Sequence, residues 1–501
     1  MAVWTSAPLR DYEMWIGGAW TSATGGRTLD SINPATGEPW ARIPDATAQD
    51  VDRAVAAARA ALGDPAWGGL TPTARGRLLL RLADLIVEHA DELGDVETRD
   101  NGKLLKEMRG QAAAIARWYR FFGGLADKIE GTVPAIDQPT VFNYTLREPV
   151  GVIAAIAPWN SPLLLATWKL APALAAGNTV VVKPSEFTSA SMLELVPLIE
   201  RAGFPPGVVN VVTGSGAECG TALTSHPGID RIAFTGGPGT AVAIARNAAE
   251  RLIPATFELG GKSANIVFAD ADLDAAEAGV LAGIFAASGQ TCIAGSRLLV
   301  QRDVEREFVD RVVARAKAIR LGDPADPETQ MGPAATPAQH QKIRTSVERA
   351  VADGATVLAG GRTPDDPRLA AGLYYEPTVL GGVSPEMHVA QEEIFGPVLA
   401  VLPFDDEADA VRIANATRYS LAAGVWTSDV KVAHRMARAL DAGTVWVNMY
   451  RAVAPMSPFG GSGMSGHGRE SGLQAIGEVT KVKSVWVETG DAIQDPFTLR
   501  V

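Results

Sequence analysis

Short apolar runs that alternate with helix-length segments most constrain the fold of this 501-residue chain. Four such runs follow one another at residues 151–157, 179–182, 208–212 and 231–234. Strands that alternate with helices form parallel β-α-β units, and their sheets are buried on both faces, so each strand is a continuous apolar run. The pattern predicts a doubly wound sheet of the nucleotide-binding type.

The alternation resumes after residue 258 and predicts a second sheet. Its strands are expected at residues 263–268, 297–301, 399–403 and 444–447, with helices at 304–320, 337–352 and 430–440. In the N-terminal region, apolar residues instead recur at helical spacing over 51–62, 73–93 and 103–122. We therefore expect an α/β protein with two doubly wound parallel-sheet domains and a mostly helical start.

Two short segments fit neither sheet. Residues 481–488 alternate apolar and polar side chains, and residues 144–147 form a short isolated strand before the first sheet. Unpaired strand edges leave backbone hydrogen bonds unmade, so both strands need partners. A sheet shared with another subunit is one solution.

Composition excludes several classes of protein. The chain has 57 acidic and 45 basic residues and a net charge of −12, which argues against nucleic-acid or membrane partners because both need a basic face. Two cysteines are too few for a disulfide framework or a cysteine-rich zinc site. Residues 1–10 lack the basic start and apolar run of a signal peptide, so we expect a cytoplasmic protein.

Two charge-free windows, residues 149–168 and 278–296, are long enough to be tested as membrane spans. Two prolines and Asn160 break the first window, and Gly289 and Gln290 break the second. A broken backbone cannot satisfy its hydrogen bonds in lipid, so both windows are predicted to be buried core. A polar interruption in buried core also marks a candidate site.

Cys292 lies at the end of the second window, between Gly289 and Gly295. A lone cysteine is more often an inert buried filler. A thiolate nucleophile needs groups that favour its charge and move its proton, and flanking glycines let backbone amides approach the group that the sulfur attacks. Cys219 has no obvious base beside it and is predicted to be structural.

Glu258 and Asn160 are the other candidates for chemistry. Glycines beside Glu258 leave room for a carboxylate that swings and acts as a general base, although a solvated strand end is the plainer interpretation. Asn160 is either a turn former or an amide donor to a developing oxyanion. None of the six histidines has metal-ligand spacing or a catalytic motif, so no metal is expected and Glu258 is the better base.

Lys183 and Glu186 follow the second predicted strand of the first sheet. Ligands bind at that edge of a doubly wound sheet, where an acidic side chain can hydrogen-bond ribose hydroxyls. Residues 234–239, Phe-Thr-Gly-Gly-Pro-Gly, end the fourth strand and open a helix. This turn is similar to a dinucleotide-binding turn but lacks a full G-x-G-x-x-G pattern.

Together these segments resemble the aldehyde dehydrogenase superfamily, of the hydrolytic NAD(P)-dependent type, from about Trp15 to the C-terminus. The matching segments are PWN at 158–160, KPSE at 183–186, FTGG at 234–237, ELGGK at 258–262, GQTC at 289–292, EEIFGP at 392–397 and PFGG at 458–461. Their order and spacing agree with the family, which a shared nucleotide fold alone does not explain.

The resemblance implies a role for each catalytic candidate. Cys292 would attack the aldehyde carbon, and Asn160 with the backbone amide of Cys292 would stabilise the oxyanion. Hydride would leave for the nicotinamide, and Glu258 would activate the water that hydrolyses the thioester. The product would be a carboxylic acid, and no metal would be required.

The resemblance also implies an NAD site, with NADP as an alternative cofactor. Its residues would be Trp159, Lys183, Glu186, Gly216, Gly237, Glu393 and Phe395. The negative charge of Glu186 favours NAD because it would repel a 2′-phosphate, although Lys183 offers compensating charge. The family often has Ser at position 237, and Gly here removes a hydroxyl contact without removing the turn.

The substrate implied is a small-molecule aldehyde that enters an apolar channel. By resemblance the channel would be lined by Trp168, Thr291, Ile293, Arg451, Val453 and Phe459, with Phe121 and Phe122 nearby. Arg451 would lie near the mouth, where it either pairs with an acidic group on the aldehyde or remains a solvated loop arginine.

Two other functions stay open at this point. A CoA-acylating semialdehyde dehydrogenase would pass the acyl group to a thiol, but such relatives usually lack the glutamate that stands here as Glu258. A retired enzyme kept as a structural or binding protein is the second alternative, and intact Cys292, Glu258 and Asn160 argue against it.

The family architecture implies three modules. They are an NAD-binding domain of residues 1–126 and 150–258, a catalytic domain of residues 259–460, and a small β oligomerisation domain of residues 127–149 and 475–501. The two isolated strands would complete a sheet across a homodimer or homotetramer.

Overall fold

The structure is a computed structural model and describes residues 9–491 and residue 497. The expectation about a signal peptide and the outer parts of two predicted domains extend to residues 1–8, 492–496 and 498–501, which lie outside the described residues. No helix within the described ranges combines the length and apolar character needed to cross a membrane.

Residues 10–125 form a strand-rich start followed by a helical layer. The five strands are β1 (Arg10–Asp11), β2 (Met14–Ile16), β3 (Ala19–Thr21), β4 (Thr28–Asn33) and β5 (Glu38–Pro44). The five helices are α1 (Ala48–Gly63), α2 (Pro65–Gly68), α3 (Pro72–Glu88), α4 (Ala90–Asn101) and α5 (Leu105–Leu125). The helical prediction is confirmed. The strands before α1 were not predicted, because they are short and lack continuous apolar runs.

The first large sheet comes next in the chain. β6 (Val141–Pro149) precedes this sheet and is not part of it. The elements of the sheet in this part of the chain are β7 (Val152–Ile156), α6 (Pro162–Ala175), β8 (Thr179–Lys183), α7 (Ala190–Ala202), β9 (Val209–Val211), α8 (Thr221–Ser225), β10 (Arg231–Thr235), α9 (Pro238–Ala249) and β11 (Ala255–Glu258). Strands β11, β10, β7, β8 and β9 lie side by side in parallel, which confirms the doubly wound core. β2 and β3 extend the sheet beyond β9 in antiparallel orientation.

The second large sheet follows. Its elements are β12 (Ala264–Val267), α10 (Leu273–Ile284), β13 (Arg297–Gln301), α11 (Glu305–Lys317), α12 (Pro337–Ala352), β14 (Thr356–Ala359), β15 (Thr378–Gly381), α13 (His388–Gln391), β16 (Val398–Phe404), α14 (Glu407–Asn415), β17 (Ala422–Trp426), α15 (Val430–Ala439) and β18 (Thr444–Val447). The strand order is β14-β15-β16-β13-β12-β17-β18, and only β14 is antiparallel to its neighbour. The predicted second α/β block is therefore confirmed.

The C-terminal region contains β19 (Gly466–His467), α16 (Gln474–Val479) and β20 (Thr480–Glu488). β19 pairs with β11 at the edge of the first sheet. β20 pairs along its whole length with β6, so the two isolated strands of the sequence are partners within one chain. Besides the two large sheets and this β6–β20 ribbon, the described residues form a three-stranded sheet of order β1-β5-β4. The division of the chain into three modules stays a prediction.

Helices cover both faces of both sheets. Successive residues of β7 alternate between two cores: Ile153 and Ala155 pack toward α3, α5, α6 and α7, whereas Val152 and Ala154 pack toward α1, α8 and α9. This alternation follows from the twofold side-chain period of a strand. The second sheet is covered in the same way by α12, α14 and α15 on one face and by α10 and α11 on the other.

The parallel strands of the first sheet end at the edge that carries the sequence motifs. The PWN segment follows β7, β8 ends at Lys183, Gly236 follows β10 and β11 ends at Glu258. Residues 290–296, which lead into β13 of the second sheet, lie opposite this edge. The motifs therefore meet in a cleft between the two sheets.

Candidate active site

Cys292 lies in a tightly turned loop between α10 and β13 and is half-buried. Ala287, Ser288 and Gly289 all have left-handed backbone, with φ of 54°, 54° and 69°. This conformation costs roughly 1–3 kcal/mol at a non-glycine residue and persists only where the surroundings impose it. At Gly289 an added Cβ would lie 2.2 Å from the Gly396 carbonyl oxygen, so the turn requires glycine there.

Hydrogen bonds to a distant segment hold this loop. Ser288 Oγ donates to the Gly332 carbonyl at 2.9 Å, and Gln290 Nε2 donates to the Pro333 carbonyl at 3.2 Å. The strained turn is thus fixed from a second direction, and the position of Cys292 is set by packing rather than by a free loop.

Asn160 is held directly against the cysteine loop. It follows β7 and precedes α6, which begins at Pro162, a residue favoured at the first helical position. Its side chain is buried, and Nδ2 donates to the Gln290 carbonyl at 3.1 Å. The Asn160 amide group is therefore bonded to the residue two positions before Cys292.

Glu258 ends β11 and is buried, and in the described part of the chain neither of its carboxylate oxygens has a hydrogen-bond partner. Burial raises its pKa well above the ordinary value, and the nearby Glu470 carboxylate adds to the effect. Lys169 and Arg469 act on the pKa in the opposite direction. A buried carboxylate without a partner is suited to accept a proton.

Room for the Glu258 side chain comes from Gly460. An added Cβ there would lie 2.6 Å from Glu258 Oε1. The sequence interpretation assigned this room to the neighbouring glycines, but Gly260 accommodates another carboxylate, because its added Cβ would lie 2.0 Å from Glu393 Oε2. Glu393 Oε1 also accepts a hydrogen bond from the Gly261 N–H at 3.1 Å, and burial raises the pKa of Glu393 to about 7.

A cavity of about 300 Å³, here called the larger cavity, opens on one side of Cys292. Its lining includes the six predicted channel residues Trp168, Thr291, Ile293, Arg451, Val453 and Phe459. Further lining residues, which sequence reasoning missed, are Lys103, Glu107, Met108, Gln111, Ser161, Leu164, Leu165 and Ala287. Phe121 and Phe122, which were expected near the channel, are not among its lining residues. Phe122 is fully buried in the core of the first sheet.

Charged groups gather at one wall of the larger cavity. Arg451 has a left-handed backbone, with φ of 65°, and its Nη1 donates to the Ala282 carbonyl at 3.0 Å. Burial lowers the pKa of Arg451, and the Glu107 carboxylate acts in the opposite direction. Burial also lowers the pKa of Lys103, and the Glu107 carboxylate opposes this effect. Arg451 therefore lines the cavity beside an acidic neighbour, and its side chain is partly exposed.

A cavity of about 170 Å³, here called the smaller cavity, opens on the other side of Cys292. It is lined by Pro158, Trp159, Thr235, Gly236, Gly237, Glu258, Leu259, Gly260, Gln339, Lys342, Glu393 and Phe395, together with residues shared with the larger cavity. Trp159 and Phe395 meet edge to face, with ring centroids 5.2 Å apart. Four of the seven predicted cofactor residues are thus brought together here.

The other three predicted cofactor residues form a separate cluster beyond the smaller cavity. Lys183 Nζ lies 3.6 Å from the Glu186 carboxylate, and the Gly216 N–H donates to Glu186 Oε1 at 3.2 Å. Lys183 is buried, whereas Glu186 is partly exposed. This cluster lies at the carboxyl end of β8, where a doubly wound sheet binds ligands.

Asn160, Leu165 and Cys292 line both cavities. Burial raises the pKa of the Cys292 thiol to about 12, and the Glu393 and Glu258 carboxylates contribute in the same direction. The resting thiol is therefore protonated at neutral pH, and it needs a proton acceptor before it can act as a nucleophile.

The sequence model of the aldehyde dehydrogenase family matches residues 20–485, almost the whole chain. The chain belongs to the aldehyde dehydrogenase family. It is 50% identical to the (Z)-2-((N-methylformamido)methylene)-5-hydroxybutyrolactone dehydrogenase of Acinetobacter baylyi over 495 residues. The matched region covers 98% of this chain and 100% of that protein. The family resemblance found in the motifs is confirmed.

Solved structures agree with this aldehyde dehydrogenase over nearly its full length. PnpE in complex with nicotinamide adenine dinucleotide has a TM-score of 0.95 at 47% identity, covering 97% of this chain and 99% of that one. Betaine aldehyde dehydrogenase of Staphylococcus aureus in complex with NAD+ also has a TM-score of 0.95, at 38% identity, with 97% of each chain covered.

Four of the eight missed residues of the larger cavity come from α5 and the turn before it, and three of those four are polar. Glu107 and Gln111 are four residues apart and so lie on one helix face, beside buried Met108. That polar pair next to an apolar stripe is the one signal in the sequence that points to them. Lys103 follows the left-handed C-cap Gly102 and carries no comparable signal, because its burial depends on α6.

Proposed function

We propose that this aldehyde dehydrogenase oxidises an aldehyde to the carboxylic acid, with Cys292 as the nucleophile and NAD as the hydride acceptor. The observation that carries the proposal is that Cys292 and Asn160 line both cavities, while Glu258 lines the smaller one. Hydride transfer requires the donor carbon to lie next to the nicotinamide ring, and a thiol that borders both cavities would hold the aldehyde carbon beside the cofactor.

The chemistry follows from the three side chains. Cys292 Sγ gives up its proton to a base and attacks the aldehyde carbon, and the resulting oxyanion accepts hydrogen bonds from Asn160 Nδ2 and the Cys292 N–H. One such donor is worth about 3 kcal/mol in the transition state. Loss of hydride from the same carbon converts the thiohemiacetal into a thioester. Glu258 then takes a proton from water as its oxygen adds to the thioester carbon, the C–S bond breaks, and the acid and thiol are released.

The smaller cavity suits the nicotinamide end of the cofactor. Trp159 and Phe395 would line the pocket, and Glu393 would bind the nicotinamide ribose. Gly237 would let the pyrophosphate approach, because an added Cβ there meets no atom within 4 Å and no side chain caps α9 among the described residues. The free N–H groups of such a helix start favour anions. NAD bound there supplies a hydride acceptor.

The cluster beyond the smaller cavity suits the adenosine end. Lys183 and Glu186 would hold the adenosine ribose, and Gly216 would pass close to the adenine. The negative charge of Glu186 disfavours the 2′-phosphate of NADP, with Lys183 as partial compensation. Two relatives of known structure were crystallised with NAD, which supports NAD as the cofactor here.

The decisive experiment compares Cys292→Ala with Cys219→Ala. Cys219 is fully buried, and burial raises its pKa to about 12, so it serves as a matched control. We expect Cys292→Ala to abolish NADH formation from aldehydes while NAD still binds, and Cys219→Ala to stay active. An active Cys292→Ala protein would falsify the mechanism.

Hydrolysis, rather than transfer to CoA, is supported by Glu258, which lines the smaller cavity together with Cys292. The expected product with NAD alone is the free acid. Acid formation measured with and without CoA distinguishes the two outcomes, since an acyl-CoA product that requires CoA would replace hydrolysis by acyl transfer.

A semialdehyde that carries a carboxylate is the favoured substrate class. Lys103, Arg451 and Glu107 give one wall of the larger cavity a net charge of +1 when all three are ionised. The relative from Acinetobacter baylyi is named for a 5-hydroxybutyrolactone, and such a lactone is the ring-closed form of a 4-oxo acid. An aldehyde with a carboxylate a few bonds away would match this wall.

Kinetics of Arg451→Ala and Arg451→Lys test the substrate class. For an acidic semialdehyde we expect Arg451→Ala to lower kcat/KM by more than about tenfold, the size of a charge-assisted hydrogen bond, and Arg451→Lys to lower it less. A neutral aldehyde of similar length should lose about twofold or less. Equal losses on both aldehydes would contradict the recognition of a substrate carboxylate by Arg451.

We also propose that the enzyme is a cytoplasmic homodimer or homotetramer assembled through the β6–β20 ribbon. Phe142 and Leu146 are exposed on one face of this ribbon, and Val482 and Trp486 are exposed on the other. An isolated two-stranded sheet is marginal in water. A second copy of the chain would cover the face that carries Val482 and Trp486. A reducing compartment would keep Cys292 a thiol.

A further inference from the structure

We propose that Lys103 and Glu97 are positioning residues that fix the oxyanion donor Asn160 by clamping the start of α6. The inference rests on the proposed function, because it assigns these residues a role in the same reaction. Neither residue has the role of nucleophile, base or oxyanion donor in that reaction. Their link to it is the short segment Asn160 to Leu163, which both of them contact.

Lys103 holds the first half of this segment. Its Nζ donates to Ser161 Oγ at 2.9 Å, and both side chains are buried. Ser161 is the N-cap residue of α6, a position where a serine hydroxyl normally accepts from the backbone of the first turn. Here the hydroxyl makes no capping bond. It is committed to Lys103 instead, which ties the residue after Asn160 to the end of α4.

Glu97 supplies the cap that Ser161 does not. It lies in α4, is fully buried, and its Oε1 accepts a hydrogen bond from the Leu163 N–H at 3.0 Å. A carboxylate at a helix N-terminus is favourable both as an acceptor and through the helix dipole. The cap of α6 thus comes from a neighbouring helix, so that α4 sets both the direction of α6 and the place where its first turn begins.

The two bonds lie on either side of one short turn. They fix Ser161 and Leu163, and the remaining freedom of Asn160 is removed by its own bond to the Gln290 carbonyl. Because these side chains are buried, each unmade bond would leave a polar group unsatisfied. A displacement of about 1 Å at an oxyanion donor can cost 10²-fold in rate.

Lys103 also lines the larger cavity, so a direct contact with substrate is the competing role. The charged or titratable groups that act on it are Glu107, Arg451, Glu97 and Cys292. A positioning residue acts through Asn160 and loses its effect when Asn160 is absent. A substrate contact keeps its effect in either background. This difference defines the experiment.

A double-mutant cycle with Lys103→Met and Asn160→Ala separates the two roles. We expect Asn160→Ala to lower kcat/KM by about 10²- to 10³-fold, as for the loss of one oxyanion donor. Lys103→Met, assayed with a neutral aldehyde so that its charge toward a substrate carboxylate plays no part, should lower it by about 10-fold, mainly in kcat, in the native background, and by less than about 2-fold in the Asn160→Ala background. Ser161→Ala should reproduce most of the Lys103→Met effect, because it removes the same bond from the other side.

Glu97 is tested with a conservative and a disruptive variant. Glu97→Gln keeps an acceptor for the Leu163 N–H and should retain most of kcat, whereas Glu97→Leu should lower kcat by about 10-fold with little effect in the Asn160→Ala background. Exposed Lys317→Met and Glu88→Gln are matched controls and should leave kcat unchanged. Melting temperature and NAD affinity identify variants that merely unfold.

Additive losses would overturn the proposal, since they would mean that Lys103 and Glu97 act independently of Asn160. A Lys103→Met effect confined to KM, with Ser161→Ala silent, would make Lys103 a substrate contact and equally overturn it. Failure of the proposed function itself is distinguished by Cys292→Ala, because an active Cys292→Ala protein removes the reaction to which the clamp refers.

Discussion

Lys169 Nζ lies 2.5 Å from a Glu470 carboxylate oxygen, and both groups are closed off from water. The same ammonium donates to Thr235 Oγ1 at 2.6 Å. Lys169 comes from α6 and Glu470 from the segment that follows β19, so the pair joins two parts of the chain 301 residues apart. Burial raises the pKa of Glu470, and Lys169 opposes that rise. The pair forms the electrostatic surroundings of Glu258.

Removal of Glu470 and removal of Lys169 should shift the pH profile of kcat in opposite directions. The Glu470 carboxylate raises the pKa of Glu258, and the Lys169 ammonium lowers it. Glu470→Gln should therefore shift the acid limb of kcat to lower pH, and Lys169→Met should shift it to higher pH. The measurement is kcat against pH under conditions where thioester hydrolysis limits the rate, below the melting temperature of each variant.

Both variants remove one partner of a buried ion pair, which typically costs about 3–5 kcal/mol of stability. Shifts of the two limbs in the same direction would contradict the assignment of Glu258 as the titrating base. A Glu258→Gln variant provides the reference, because it should lack the limb altogether.

Gly460→Ala should damage hydrolysis more than aldehyde capture. Gly460 has φ of +144°, and an added Cβ would lie 2.6 Å from Glu258 Oε1, so the carboxylate would be displaced. We expect kcat to fall by roughly 10-fold or more, with a thioester that accumulates and is detectable by mass spectrometry. Gly477→Ala is the matched control, because a Cβ there meets no atom within 4 Å. Equal activity of the two variants would mean that Glu258 does not need the space that Gly460 leaves.

Glu97 should make the stability of the protein depend on pH. Burial raises its pKa from 4.5 to about 7, opposed by the Leu163 N–H and Lys103. Because the folded pKa is above the unfolded one, its contribution is complete below about pH 4.5 and is lost as the pH rises through about 7. Glu97→Gln lacks this titration.

The melting temperature of the native protein relative to Glu97→Gln should therefore fall between pH 5 and pH 8, by an amount equivalent to a few kcal/mol. The exposed Glu88→Gln variant controls for a general loss of charge. A difference between native protein and Glu97→Gln that is constant across this range would mean that Glu97 does not titrate in the folded state.

Substitutions on the β6–β20 ribbon should dissociate the proposed oligomer. Trp486 and Val482 are 56% and 60% exposed in a single chain, and an arginine at either position would place charge in an apolar interface. Trp486→Arg should lower the mass in solution, measured by light scattering, to that of one chain. Leu252→Arg is the control, because Leu252 is 91% exposed and lies outside the ribbon. An unchanged mass for Trp486→Arg would place the interface elsewhere.

The two large sheets were predictable because parallel strands buried on both faces produce uninterrupted apolar runs. β7, β8, β10 and β13 follow that rule, and their positions agree with the sequence to within one residue. β17 has the sequence Ala-Ala-Gly-Val-Trp, which is too weakly apolar to stand out. β2 and β3 are three residues each and owe their place to pairing with β9 and each other, a contact that no local pattern encodes.

Some residues of the candidate site were likewise predictable from the sequence, and others were not. Cys292, Glu258 and Asn160 lie in distinctive motifs, and the fold brings them to one cleft. The role of Gly460 in making room for Glu258 was not predictable, because the two residues are 202 positions apart and meet only through β19 and β11. Lys103 was missed for a similar reason, since its partner Ser161 is 58 residues away.

The shared wall between the two cavities has a consequence for chemical intervention. Cys292, Asn160 and Leu165 belong to both linings, so the compartments are separated by the thickness of a few side chains. On the proposed function, a compound with a nicotinamide-like head and a carboxylate tail, joined by a tether of only a few atoms, would reach both at once. Its effective concentration at the second compartment would greatly exceed its bulk concentration. An electrophile in the tether would meet the sulfur midway, which gives a route to selective covalent inhibitors.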